Sequence, residues 1–469
     1  MNFCVKETNF LNKEYKLLDF GCINEDTLLN QQLIQKAIDT VSLNGGGYLL
    51  FPAKFIKTGP IVLKSNVCLN LPFNCYLKFT KEKRFYTVDV RNWEGKNCYR
   101  TNSPISAYKQ TNIGIIGKGT IDGCGDEWRP LKDWKVQEVF FEKCLEKSPY
   151  VIENDNCRIW YPSKSSYEGC LLTEEKMDLK LANDYYDFFR PVLLSLVECD
   201  QILLKDFISS NSPAWNIHPL FCSNLVVDSI SAKNPSYAQN GDGIDVESCT
   251  NVEIKNSTFE VGDDGICIKS GKNKEARAIK RPTENVYIHD CLVYHAHGGI
   301  VIGSEMSRGI KNLLCENCTF VGTDIGIRFK SAIGRGGVVE NITIKDINMN
   351  NIINEAIIFN MDYSLYKMAH EASDDVDSFD MEDIPYFKNI IIDNVYCDNA
   401  KKALKVLGIN PKTINNEVSI SNILIKDSYI KAEEDKSLKF CKNIRLANTK
   451  FDINGKETYF ENDSFSIEC

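Results

Sequence analysis

The stretch from Asn251 to Gly271, NVEIKNSTFEVGDDGICIKSG, decides how the chain folds. It opens on Asn251, alternates aliphatic residues at Val252 and Ile254, passes through polar turn residues, and turns apolar again at Ile266 and Ile268. Short β-branched runs bounded by turn residues are strands, and so small a unit cannot bury its own apolar face. Working outward, the same opening recurs at Asn112, Asn224, Asn285, Asn312, Asn341, Asn389, Asn422 and Asn443. From Asn224 the successive starts lie 27, 34, 27, 29, 48, 33 and 21 residues apart. Stacked repeats bury together what each leaves exposed alone. The expected architecture is therefore all-β, a right-handed parallel β-helix with Ile, Val and Leu turned inward, running as one domain over residues 1–469. A propeller would need longer and more regular four-strand blocks.

Three segments depart from the repeat. In the region of residues 15–50, Ile34, Ile38 and Val41 fall on one helical face and the pattern stops at Asn44-Gly45-Gly46-Gly47. That predicts one amphipathic helix, placed to cap the open end of the solenoid. Residues 124–188 lack the repeat and are rich in charge and aromatics, which marks a long excursion of the kind that carries function. The widest interval holds an acidic insertion over 363–385, read as a solvated loop in preference to a calcium site.

Composition narrows the function. Apolar residues make up 43% and charged residues 25% of 469, the balance of a globular protein. The formal charge of −9 speaks against nucleic acid or an anionic membrane as a partner, so an anionic ligand would need a local basic pocket. The opening MNFCVKETNF has no basic stretch leading into an apolar run, which makes cytoplasmic residence the expectation. The 19 scattered cysteines read as reduced, buried thiols, and Cys315 with Cys318 stands without a second pair, so no zinc site is expected.

The chemistry concentrates between Asn240 and Lys330. Asp242 precedes Asp263 and Asp264 by 21 and 22 residues, about one short coil, which would stack three carboxylates on one face. His297 follows about one coil later, and Arg328 with Lys330 a further coil on. Close carboxylates repel, so one holds a proton while others stay ionised, and acid plus base catalysis needs that difference. Glycoside hydrolysis uses such a pair, roughly 6.5 to 9.5 Å apart when configuration inverts. Arg328 and Lys330 alternate along a strand, so both face one side, where they suit the carboxylate of a uronic acid. Taken singly each has a plain structural reading: GDD occurs in turns, His297 can be a packing histidine, and the two cations can be a solvated face. His289, His295 and His370 read as surface or packing residues. Their joint occurrence at coil spacing favours the chemical reading.

These residues resemble the motif set of glycoside hydrolase family 28, the polygalacturonases, whose signatures read roughly NTD, GDD, GHG and RIK. They stand here in order as NGD at 240–242, GDD at 262–264, AHGG at 296–299 and RFK at 328–330. The flanking SPAWNIHP, IGSEMS and GRGG, with DFG at 19–21 and the later TGPIVLKSNV, resemble its bacterial and plant-type, exo-acting branch. The resemblance implies Asp263 as general acid, Asp242 and Asp264 as holders of the attacking water, and His297 as keeper of the acid's proton. It further implies Arg328 and Lys330 as binders of the galacturonate carboxylate, Asn240 as a shaper of the site, and Tyr363 of NMDY as a stacking residue. No cofactor and no metal is implied. Against the family pattern NTD has become NGD, GDDC has become GDDG and GHG has become AHG, all small-for-small changes. RIK has become RFK, which alters only the inward residue. Because rhamnogalacturonases tend to lack the two cations, homogalacturonan is favoured, and exo action on oligogalacturonides is the expectation. Endo action, hydrolysis of rhamnogalacturonan or xylogalacturonan, a calcium-dependent pectate lyase and a non-catalytic pectin-binding solenoid are the alternatives.

Overall fold

The computed structural model describes residues 3–24, 26–154, 156–172, 176–363 and 379–467. Each repeat winds once around a common axis and places strands on three faces. In the unit that opens on Asn251 these are Thr250–Lys255, Thr258–Glu260 and Asp264–Lys269. Strands of the first two kinds join in a 22-stranded sheet that wraps two faces, and strands of the third kind form an 11-stranded sheet. Neighbouring coils pair in parallel, giving the right-handed parallel β-helix.

Register explains the repeat. Leu225, Val252, Val286, Leu313, Ile342, Ile390, Ile423 and Ile444 align strand on strand in one inward row. All eight are essentially buried, and a side chain of this kind contributes roughly 1.5–3 kcal/mol when removed from water. The leading asparagines have a separate task. From Asn112 to Asn443 all nine have φ between 51° and 58°. Asn tolerates this left-handed conformation better than other residues with a Cβ. Several also hydrogen-bond amide to amide along the axis: Asn285 donates to Asn251 at 3.1 Å and Asn443 to Asn422 at 2.9 Å. The asparagines therefore turn the corner of each coil and tie it to its neighbour.

The helix Thr27–Leu43 closes the first end. Asp26 caps it by accepting from the Leu28 amide, and Ile34, Ile38 and Val41 are fully buried against the first coils. It stops where Gly46 adopts φ +103°; a Cβ there would come 2.3 Å from the Asn66 carbonyl oxygen. At the other end Lys456–Ile467 turns back antiparallel along Cys441–Ile453 and covers the last edge. One hydrophobic cluster runs from Leu17 to Phe460. Many of the cysteines, among them Cys222, Cys249 and Cys315, lie in it as small apolar side chains.

The 124–188 excursion has a structure that no periodicity announced. Leu131–Lys132, Cys157–Trp160 and Val151–Asn154 form a small antiparallel sheet, accompanied by helices Glu138–Lys147, Lys164–Cys170 and Leu179–Asp184. A hairpin of Val88–Trp93 and Lys96–Thr101 joins it. Both lie over the middle strands of the 11-stranded sheet. Trp93 stacks on Trp215 with ring centroids 4.3 Å apart, Glu94 faces Lys272 at 3.9 Å, and Phe140 packs on Tyr237 at 5.4 Å. Consequently every residue of Ile217–Leu220, Ile244–Glu247, Asp264–Lys269 and Gly298–Gly303 is buried on both faces of the sheet. Further along, Lys402–Leu407 alternates between buried and partly open, as a bare solenoid face should. Of the acidic insertion read over 363–385, residues 364–378 lie outside the described residues.

Candidate active site

The site forms where the covered part of the sheet meets the open part. Coil stacking brings the three aspartates together: the Gly243 amide donates to the Asp264 carbonyl at 3.0 Å, and the His297 amide donates to the Asp263 carbonyl at 2.9 Å. One carboxylate oxygen from each of Asp242, Asp263 and Asp264 lies within 4.8 Å of the others. Asp242 and Asp264 are 3% and 1% exposed, whereas the Asp263 side chain is 21% exposed and faces the groove. Adjacent coils of one sheet are only about 4.8 Å apart, and that pitch sets the separation.

The neighbours give the three unlike charge states. Burial, reinforced by the Asp263 charge, pushes the Asp242 carboxyl well above its usual range, so it keeps a proton. Burial also opposes charge on Asp264, but Lys330 and Arg328 outweigh it and hold its carboxyl below the usual range. Lys330 Nζ lies 2.6 Å and Arg328 Nη1 3.5 Å from Asp264. For Asp263, burial is overcome by His297, Lys330 and Lys135, and its carboxyl is held low. His297 Nδ1 lies 3.1 Å from Asp263 Oδ1, and that carboxylate raises the histidine above its ordinary 6.5. At rest, then, the proton shared by this pair sits on His297.

The remaining candidates separate. Arg328 and Lys330 face the groove together, while Phe329 between them points inward and stacks on Phe359 at 4.5 Å. Their first partner is Asp264, so the two cations tune a carboxylate as well as facing the groove. Arg328 stays 18% exposed with donors to spare. The Tyr363 ring centre is 5.1 Å from Lys330 Nζ and 6.0 Å from the Arg328 guanidinium carbon, which brings that residue into the site. Asn240 acts on the wall of the site: its side-chain oxygen accepts from Arg190 at 3.0 Å and fastens that wall to the edge of the excursion. His289 stacks on Tyr287 at 4.2 Å on the 22-stranded sheet, whereas Asp264 opens a strand of the 11-stranded sheet, and His370 lies outside the described residues. Gly265, where the family pattern has cysteine, leaves room for Val293, whose Cγ1 would lie 2.5 Å from a Cβ there.

Several groups went unread in the sequence. Lys135, carried by the turn Asp133–Lys135 of the excursion, acts electrostatically on Asp263, Asp242 and His297. Beneath the aspartates Asp245 is fully buried with neither carboxylate oxygen hydrogen-bonded among the described residues, 3.5 Å from Lys269, which also pairs with Glu305 at 3.0 Å. Beyond His297 the groove widens into a cleft of about 410 Å³, lined by Asp324, Arg328, Lys330, Asn354, Tyr363, Lys401, Lys402 and Glu434 among others.

Close carboxylates of unlike charge state, opening on a groove in a parallel β-helix, are what acid and base hydrolysis of a glycosidic bond requires. The sequence model of glycosyl hydrolases family 28 matches residues 182–451, and the chain belongs to that family. It is similar to the exo-poly-alpha-D-galacturonosidase of Dickeya chrysanthemi, 29% identical over 378 residues, which are 77% of this chain and 59% of that one. A probable polygalacturonase of Vitis vinifera is 25% identical over 426 residues, 87% of this chain and 73% of its own. Among solved structures, the hyperthermoactive exopolygalacturonase from Thermotoga maritima superposes with a TM-score of 0.76 at 28% identity, covering 98% of this chain and 97% of that one.

Proposed function

We propose that the protein hydrolyses α-1,4-galacturonosyl linkages from one chain end, releasing galacturonate. The observation that carries this reading is the three-aspartate cluster beside Arg328 and Lys330, in a groove covered on one side by the hairpin and the excursion. Its similarity to exo-acting enzymes from Dickeya and Thermotoga supports the same reading.

Asp263 is the general acid in this proposal, because it alone of the three reaches the groove. An anionic uronate docking beside it raises its affinity for a proton, which crosses the 3.1 Å hydrogen bond from His297. Asp263 then gives the proton to the glycosidic oxygen as the bond to C1 breaks. A water held between Asp242 and Asp264 attacks C1, and its proton passes to ionised Asp264. Arg328 supplies donors to the substrate carboxylate, and Tyr363 offers a ring face to the sugar. The natural substrate is an oligogalacturonide.

The test is incubation with trigalacturonate and polygalacturonate, following product size and the anomer of the new reducing end by proton NMR. Monogalacturonate alone, appearing first as the β anomer, is the expected result. A ladder of oligomers would make the action internal. First appearance of the α anomer would overturn the inverting step.

A further inference from the structure

The loops that precede successive strands of the 11-stranded sheet form a rail along one wall of the groove. Its members are Asp263, His297, Asp324, Asn354 and Lys401. Backbone hydrogen bonds join the rail coil to coil, from the Asn354 amide to the Asp324 carbonyl at 2.8 Å and from the Lys402 amide to the Asn354 carbonyl at 3.0 Å. The charges along it are mostly answered: Asp263 by His297 at 3.1 Å, Asp324 by the other face of His297 at 3.8 Å, and Lys402 by Glu434. Lys401 differs, being exposed and lining the cleft with no carboxylate within salt-bridge distance among the described residues. It stands two coils past the strand that carries Arg328, roughly 10 Å further from the aspartates along the axis at the usual strand spacing.

We infer that Lys401 forms a separate subsite for a second carboxylate of the substrate, on a sugar lying beyond the one that Arg328 faces. The inference rests on the reading of the protein as an oligogalacturonide hydrolase. A polyuronate presents a carboxylate on every sugar, so an exposed ammonium one or two sugars down the open groove meets one; Glu434, the acidic group whose field Lys401 shares, is already engaged by Lys402. The cation changes chain-length preference and leaves the chemical step alone.

The measurement is kcat/KM of wild-type, Lys401→Ala and Lys401→Arg proteins on di-, tri- and tetragalacturonate. In Lys401→Ala the preference for the longer substrates over digalacturonate should fall roughly five- to tenfold, through KM, the size expected for one charge-assisted contact in a partly exposed groove. Lys401→Arg should restore the preference. An equal change on all three substrates, or none, overturns the subsite while the hydrolase reading stands. If the wild-type protein cleaves no oligogalacturonide, the hydrolase reading falls and the subsite falls with it.

Discussion

The three aspartates share a residue type and a groove, yet their surroundings give them different work. Asp263→Asn removes the only one of them that reaches the groove and should lower kcat by about 10² to 10⁴ with the fold retained, checked by initial rates beside circular dichroism. The pH profile follows from the neighbours. His297 holds its proton above the ordinary 6.5 and loses it as pH rises, so activity should decline on the alkaline side above that value. His297→Ala should abolish this limb along with most of the rate. Asp264 must be ionised and is held below the ordinary 3.8. Activity should therefore survive into acid and fail only as pH drops through that lowered value. Lys330→Ala removes the cation 2.6 Å away, and the acid limb should move to higher pH. The aspartates, His297, Arg328 and Lys330 were legible because coil length converts sequence spacing into proximity. Lys135 was not, since it arrives on a segment without a repeat. The partner of Asn240 was not legible either, since Arg190 lies 50 residues away in sequence.

At the scale of the repeat, the asparagine corner has a measurable cost of replacement. Asn251 sits at φ 58° and bonds its amide to Asn224 and Asn285. Asn251→Ala should destabilise the protein by about 2 kcal/mol, part left-handed strain and part lost hydrogen bonds. Asn251→Gly should cost less, because the strain vanishes while the bonds are still lost. Urea unfolding midpoints of the two variants would show the order. The repeat was readable because inward positions and corners recur in register. The elements of the excursion were hidden because each packs on its own small core, such as Trp128 with Tyr86 and Tyr186, and short segments of that kind have no period to detect.

Across the whole molecule, the solenoid supplies a straight groove and the additions decide where it ends. The hairpin of Val88–Trp93 and Lys96–Thr101 seals one side through Trp93 on Trp215 and Glu94 at Lys272. Replacing its tip, Trp93 to Lys96, with a tight Asn-Gly turn should open that side, and polygalacturonate should then yield some internal fragments, visible as a product ladder. The closure of the first end was foreseeable from the helix pattern; the returning strand Lys456–Ile467 at the other end and the seal were not, since neither follows the repeat. A blind alley also dictates an order of departure. The sugar cut from the tip of a chain is trapped in the alley behind the chain that delivered it, so the shortened chain must back out first. Each encounter then ends after a single cut. The enzyme should graze many chains a little at a time, without consuming one to its end, and free galacturonate should compete with every incoming chain tip.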